Sequence, residues 1–440
     1  MRNEMPSADQ QQVVVCKWSA HLISTMLELT PRVSVILDDF DVEHGDVDWE
    51  LLSKAERVYR VGEFDSIEEI AAVASDLLVR GVSPDHIVSF TEFSQFGAGY
   101  LAALMGLTDD TSQHVAFRDK RLMKARVAAA GVPTAGWMTL GDASDEKEVA
   151  AVRERLRFPV VVKPVAGSGS IGATRVDDPD ELAASLRRVV ADPHVKSRQV
   201  TVEEFVTGQE LHVDALWRDG EPLLLTVSAY YCPRISVLDA AGTAGSGQQD
   251  PADGSYVIDP EEDPALYRTV ADLHGKINAA LGIRDGATHL EVFRRADGEL
   301  VFSEIATRLA GGWAGGVLSE CLGYEVHEAL AHAVVTGRIP PARPTHRFLG
   351  GMHLRPARAG RITAIPGVER MLSVDGVLRA QRIRDVGDRI TLTHPSEWCA
   401  FVVIGADTRE EYEALAHRVT ALLRVEVAAD EWGSTSAQDA

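Results

Sequence analysis

Residues 289–308, HLEVFRRADGELVFSEIATR, hold two β-rich runs around Asp297-Gly298, and each run carries one acid among apolar neighbours. Asp-Gly between such runs predicts a hairpin with a two-residue type I′ turn, because that turn needs positive φ at both central positions. With Asp297 and Gly298 at the tip, Glu291 falls directly opposite Glu304, and Phe293 opposite Phe302, on one face. Directly opposed residues have Cβ atoms about 4.5–5.5 Å apart, where like charges destabilise the pair. The two phenylalanines raise the cost of bare anions there. A cation between the glutamates removes the conflict, and oxygen-only ligands suit a hard ion such as Mg2+ held by carboxylates plus substrate phosphates. An edge hairpin whose acids face solvent is an equal reading of these residues alone. His289, two residues before Glu291 on the same face, reads as a hydrogen-bonding or substrate-contacting histidine ahead of a metal ligand.

The chain has 440 residues, room for about three domains. Its formal charge of −22, from 44 basic and 66 acidic residues, argues against nucleic acid or an anionic membrane surface as partner. An anionic substrate would need local cations, so each Lys or Arg within a motif matters. Cys16, Cys232, Cys321 and Cys399 form no CxxC pair and read as reduced thiols in a cytoplasmic protein. The polar start predicts no signal peptide, no run approaches 18 apolar residues, and EWGSTSAQDA reads as a frayed tail.

Along the chain, VVVC, VSVIL, VYRV and HIVSF read as buried strands, and SIEEIAAVASDLLVRG as an amphipathic helix ending at Gly81. This βαβα order predicts a parallel α/β domain over residues 1–115. FRDKRLMKARVAAAGVP (117–133) predicts a helix stopped by Gly131 and Pro133. Arg118, Lys120, Arg121 and Lys124 on it read by themselves as a solvated basic face. From 205 to 306 strands dominate, and 237–260 reads as a mobile surface loop. Helices are expected near 263–283 and 313–337. GRIPPARP (337–344) reads as a boundary, followed by a small α/β unit with strands near 349–354 and 399–404 and the helix TREEYEALAHRVTALL.

Gly167-x-Gly169-x-x-Gly172 follows the buried run PVVVKP, but ATRV comes next, not a helix, and GxxxxGK[ST] is absent. The pattern fits a strand–glycine loop–strand flap whose backbone N–H groups cover phosphates, with Lys163 at the end of the first strand. An ordinary hairpin with a surface lysine is the alternative. VTVEEFVTGQELHVDALW (200–217) places a break at Thr207-Gly208 between two strands, with Glu203 and Glu210 as the acids that an adenine site could use or that a charged strand edge would carry.

A lysine-bearing helix, a strand ending in Lys, a glycine flap, an E-E-F-V hinge and then E…E-I-x-x-R, in that order, resemble the ATP-grasp enzymes over roughly 116–345. Among them the chain looks most like carboxylate–amine ligases of the L-amino acid ligase type, with a three-part layout also similar to biotin carboxylase. The resemblance implies an α/β and α+β architecture: the N-terminal domain 1–115, an ATP-grasp domain 116–340 with a lid lobe about 134–204 gripping ATP, and a C-terminal α/β domain 341–440. It implies phosphate contacts from Lys120, Lys163 and the flap Gly167, Ser168, Gly169, Ser170 to Gly172. Glu203 and the backbone of Glu204 and Val206 would hold adenine, and Glu210 the ribose. Glu291 and Glu304 would bind Mg2+, with Mn2+ as an alternative ion. Arg308 would hold the carboxylate or acyl-phosphate oxygen.

Many members carry Asn two residues after the second glutamate; here it is Ala306, a replacement that also occurs in the amino acid ligase branch. RLAGGW (308–313) resembles that branch, with Gly311 and Trp313 as substrate-pocket candidates, although the tryptophan is shifted by one residue. Glu92, at a strand's carboxyl edge, is a candidate for a substrate ammonium, or else a helix N-terminal acid. The resemblance thus implies an ATP-dependent ligase forming an amide between amino acid-like substrates through an acyl phosphate. Small-molecule partners and, as in similar proteins, a homodimer go with it. Carboxylation, nucleotide-biosynthetic ligation and a non-catalytic nucleotide-binding scaffold are the rival readings.

Overall fold

The computed structural model describes residues 7–428 except 109, 111, 112, 168, 170, 193, 194, 196 and 238–252. The first four apolar runs form parallel strands β1 (Val13–Cys16), β2 (Val33–Asp38), β3 (Arg57–Val61) and β4 (His86–Ser89), ordered β3-β2-β1-β4. Every residue of β1 and β2 is buried, as a sheet covered on both faces requires. The helix Ile67–Val79 covers it with Ile70, Val73, Ala74 and Leu77, and Gly81 reverses the chain at φ +71°. Past the carboxyl end of β4, the turn Glu92–Ser94 leads into the helix Gln95–Leu104.

The second layer is antiparallel: β5 (Trp137–Leu140), β6 (Val160–Pro164), β7 (Thr174–Val176) and β8 (Val200–Glu204), ordered β5-β8-β6-β7. Inward Val160, Val162, Val200 and Val202 pack on the helices Glu146–Arg155 and Leu182–Ala191. The glycine segment joins β6 and β7, which pair antiparallel, so the strand–loop–strand order expected from PVVVKP…ATRV is present, an order that a flap and an ordinary hairpin share. Ser168 and Ser170 lie outside the described residues.

The remaining strands are β9 (Gln209–Arg218), β10 (Glu221–Tyr230), β11 (Asp253–Val257), β12 (Gly286–Arg294), β13 (Leu300–Ala306), β14 (Phe348–Leu354), β15 (Gly360–Ala364), β16 (Val377–Arg382), β17 (Arg389–Ile390), β18 (Ala400–Ala406) and β19 (Glu426–Ala428). Eight of them make one sheet, β13-β12-β9-β10-β11-β14-β18-β16, and β17-β15-β19 make a small one. β14 pairs with β11, so the sheet runs unbroken past residue 341.

Two expectations change. The loop read over 237–260 ends in a strand, because Asp253–Val257 is buried between β10 and β14; most of the rest lies outside the described residues. The helix expected at 313–337 is two, Ala314–Leu322 and Val326–Thr336, since Gly323 turns the chain at φ +78°.

The 289–308 hairpin shows a finer difference. Gly298 alone has positive φ, and its N–H donates to the Arg295 carbonyl at 2.9 Å. The tip is therefore a type I turn followed by a glycine bulge, not a type I′ turn. That moves the register by one, so Phe302 faces Val292, and Phe293 faces Val301. A second irregularity between Glu291 and Val292 inserts Ser303 and restores the register, and Glu291 does face Glu304.

Candidate active site

β8 and β9 belong to different sheets, and Phe205–Gly208 is the only covalent link between them at this point. Between the sheets opens a cleft lined by Lys120, Lys163, Gly167, Glu203, Glu204, Val206, Glu210, Arg234, Glu291 and Glu304 among others. Most of the nucleotide and metal candidates named from the sequence meet there.

Its floor is the β12–β13 hairpin. Glu304 Oε2 lies 2.9 Å from Lys120 Nζ. Burial opposes its ionisation, but Lys120 and Lys163 outweigh burial and bring its pKa down to about 2. Glu291 meets only the His289 ring, at 3.6 Å, among the ion pairs of the described residues. Glu210, opposite Phe293 on β9, is pushed up to about 8, first by burial and then by the charge of Glu291. Three carboxylates thus crowd one surface with incomplete compensation. All donors are oxygen, the set a hard divalent ion takes. Ala306, facing His289, adds no ligand.

The roof and back wall hold the cations. Lys120 starts the helix Lys120–Ala129, whose N-cap Asp119 accepts from the Arg121 and Leu122 amides. Lys120 Nζ also donates to the Gly167 carbonyl at 3.2 Å. Lys163 and Lys124 both reach Glu203 Oε2, at 3.0 and 3.1 Å. Burial alone would push Lys163 down, yet the charges of Glu203, Glu304 and Glu291 hold it above the usual lysine value. For Lys124 burial wins over Glu203 and the pKa falls. The solvated basic face read on this helix is therefore wrong. Lys124 is 1% exposed and bonds the bulge carbonyl of Ser303 at 2.7 Å. Lys124 was missed as a site residue; its one sequence signal was the i,i+4 spacing from Lys120.

Glu203 spends one oxygen on the lysines, and its buried Oε1 has no hydrogen-bond partner among the described residues. The Glu204 amide donates to the Gly136 carbonyl at 2.8 Å, while its carboxylate pairs with Arg157 at 3.0 Å. No bond from the Val206 amide occurs among the described residues. Glu203 and Val206, which carry this acceptor and this donor, both line the cleft. Glu210 Oε2 accepts from the Arg234 amide at 2.7 Å.

Beyond the hairpin, Arg308 Nε lies 2.5 Å from Glu92 Oε2, and Arg118 pairs with Glu92 Oε1. Glu92 thus serves two guanidiniums, and it also stands in the first turn of the short helix Glu92–Ser94, as the reading of a helix N-terminal acid expects. Gln95, missed in the sequence, accepts from Thr307 N and Oγ1 at 3.0 and 2.8 Å. His289 donates toward Asp214 at 2.8 Å, and Asp214 also holds His212 at 2.7 Å. Burial would lower His289, but Asp214 outweighs it and raises the pKa to about 9. His212 Nε2 meets Ser255 Oγ at 2.8 Å, and the Trp313 indole N–H donates to the same oxygen at 2.9 Å. Trp313 is buried, whereas Gly311 is exposed.

An ATP-grasp domain model matches residues 156–316, and a model for L-amino acid ligase C-terminal domain 2 matches residues 352–428. The chain is 26% identical over 339 residues to the L-arginine-specific L-amino acid ligase of Bacillus subtilis, covering 76% of this chain and 78% of that one. It is 27% identical over 272 residues to dapdiamide A synthase of Enterobacter agglomerans, covering 59% and 60%. Among solved structures, an L-amino acid ligase from Bacillus licheniformis superposes with a TM-score of 0.72 at 19% identity, over 96% of this chain and 99% of that chain. A biotin carboxylase domain of Hydrogenobacter thermophilus 2-oxoglutarate carboxylase, solved with MgADP and bicarbonate, superposes at 0.62 with 15% identity, over 94% and 90%. The two structural likenesses establish the shared fold.

Proposed function

The chain belongs to the ATP-grasp ligases, and from that premise we propose that it joins the carboxylate of one amino acid to the amine of another at the cost of ATP. The observation that carries this reading is the opposed pair Glu291 and Glu304 facing Lys120 and Lys163 across one cleft. Glu203 Oε1 and the Val206 amide suit adenine, and Glu210 suits the ribose. Gly167, Gly169 and Gly172 suit the phosphates, with positive φ at the last two. Glu291 and Glu304 would hold Mg2+, which when bound neutralises phosphate charge so that two anions can approach.

In the first step a substrate carboxylate oxygen attacks the γ-phosphorus, and the bond to ADP breaks. In the second an amine attacks the acyl carbon; the C–N bond forms, phosphate leaves with the electron pair, and the proton lost by the amine ends on that phosphate. Lys120 and Lys163 both serve as countercharge to the phosphates. Arg308, oriented by Glu92, offers planar N–H donors to oxyanion charge in both steps. The flap excludes water that would hydrolyse the acyl phosphate. Cytoplasmic placement goes with this chemistry, and no described helix is long and apolar enough to cross a membrane.

The test is phosphate release from ATP and Mg2+ with pairs of amino acids, with product masses read in parallel. Release that needs two amino acids, and that Glu304→Ala abolishes in a protein of unchanged circular dichroism, is the expected result. Release driven by bicarbonate would favour carboxylation, and none at all a scaffold.

A further inference from the structure

A second polar cluster lies beside the nucleotide cleft, where the strands shared with the C-terminal segment join the sheet. Arg234 follows β10 and Arg355 follows β14. Both guanidiniums pair with Asp253 at the start of β11, and both donate to the Pro395 carbonyl, at 3.1 and 3.2 Å. His353 Nδ1 meets the same carboxylate at 3.3 Å. Burial, with Arg234 next to it, keeps that imidazole well below its usual pKa, hence neutral. Among the described residues, two guanidiniums therefore pair directly with a single carboxylate, where the side chains are only 10% (Arg234), 7% (Arg355) and 6% (Asp253) exposed.

Among the described residues, the buried Arg355 Nε and Nη1 groups have no hydrogen-bond partner. A buried charged donor left unpaired is among the costlier defects a fold can carry. The cluster is short of one anion. An aromatic wall adjoins it: Trp313 lies edge-on to His353 with centroids 3.8 Å apart, and Trp398 stacks on His353 at 4.1 Å. On its open side Arg234 lines the nucleotide cleft.

We propose that Arg234 and Arg355 bind the free carboxylate of the amino acid that supplies the amine. The inference rests on the ligase reading above. There Arg308 serves the reacting carboxylate, and a second carboxylate needs its own cation. The wall of Trp313, His353 and Trp398 then decides which side chains fit beside it.

The experiment follows two products of one acyl phosphate. Hydroxylamine, which has no carboxylate, traps it as a hydroxamate; the twenty standard amino acids and their C-terminal amides are then compared as amine donors. Wild-type enzyme should use the amino acids at least tenfold better than the amides, and Arg355→Gln should lower the ratio of dipeptide to hydroxamate at least tenfold. Equal use of amides by wild type, a comparison that needs no variant to fold, overturns the inference and leaves the ligase reading intact. So does an unchanged ratio, or an ATP KM that rises in step with the dipeptide loss, which would make a phosphate the missing anion. Absence of hydroxamate from wild type removes the ligase reading and the inference with it.

Discussion

Replacing Lys124 by methionine asks whether this lysine belongs to the site or to a polar surface. Its ammonium is 1% exposed, 2.7 Å from the Ser303 carbonyl and 3.1 Å from Glu203. The orphaned carbonyl costs about 1–3 kcal/mol. Removing one partner of a buried ion pair costs about 3–5 kcal/mol, but Lys163 stays 3.0 Å from the same Glu203 oxygen and keeps part of the compensation. Together these predict a loss of about 3 kcal/mol in Lys124→Met. The double variant Lys124→Met/Glu203→Gln removes both charges and should be at least about 1 kcal/mol better than the sum of the single losses, the mark of direct coupling. Urea unfolding followed by tryptophan fluorescence at neutral pH measures all four proteins. A Lys124→Met protein within about 0.5 kcal/mol of wild type, the range of ordinary surface changes, would refute the buried-ion account.

Arg308→Ala should lower kcat about 10²–10³-fold, as loss of an oxyanion donor does, while ADP affinity falls far less; equal losses in both would remove its role. His274 is fully buried with Nδ1 unpartnered, and burial pushes its pKa from 6.5 down to about 3. The unfolded imidazole takes up the proton first, so stability is lost as pH falls from 6.5 toward about 3. His274→Gln should flatten urea midpoints over that range, and curves parallel to wild type would contradict this. At Gly351 a Cβ would overlap the Trp313 indole, so Gly351→Ala should cut amino acid use and spare MgADP binding; phosphate release with unchanged amino acid dependence would show that the indole does not shape the pocket.

The strands of the first domain and the flap were readable because their signals are local: β-branched runs, glycine stops and a strand on each side of Gly167–Gly172. The Glu291–Glu304 pairing was reached through two offsetting differences, a glycine bulge at the tip and an inserted Ser303. A count along the chain cannot see a bulge whose carbonyl bonds a lysine from a distant helix. Contacts between remote segments were likewise hidden. Lys124 looks solvated until its helix is laid on β13. Glu92 looks open until Arg118 and Arg308 arrive from elsewhere in the chain. Arg234 and Arg355 are separated by 121 positions and carry no motif; only the β11–β14 ladder makes them neighbours.

That ladder also limits how the chain can be cut. A fragment stopping near residue 340 keeps the ATP-grasp motifs but strips β14 from β11, leaving a row of amide and carbonyl groups bare along one flank. Such a flank pairs with whatever strand it meets, including another copy of itself. The segment beyond residue 340 is thus less an appendage than a selvedge, the finished border without which the cloth frays into aggregate.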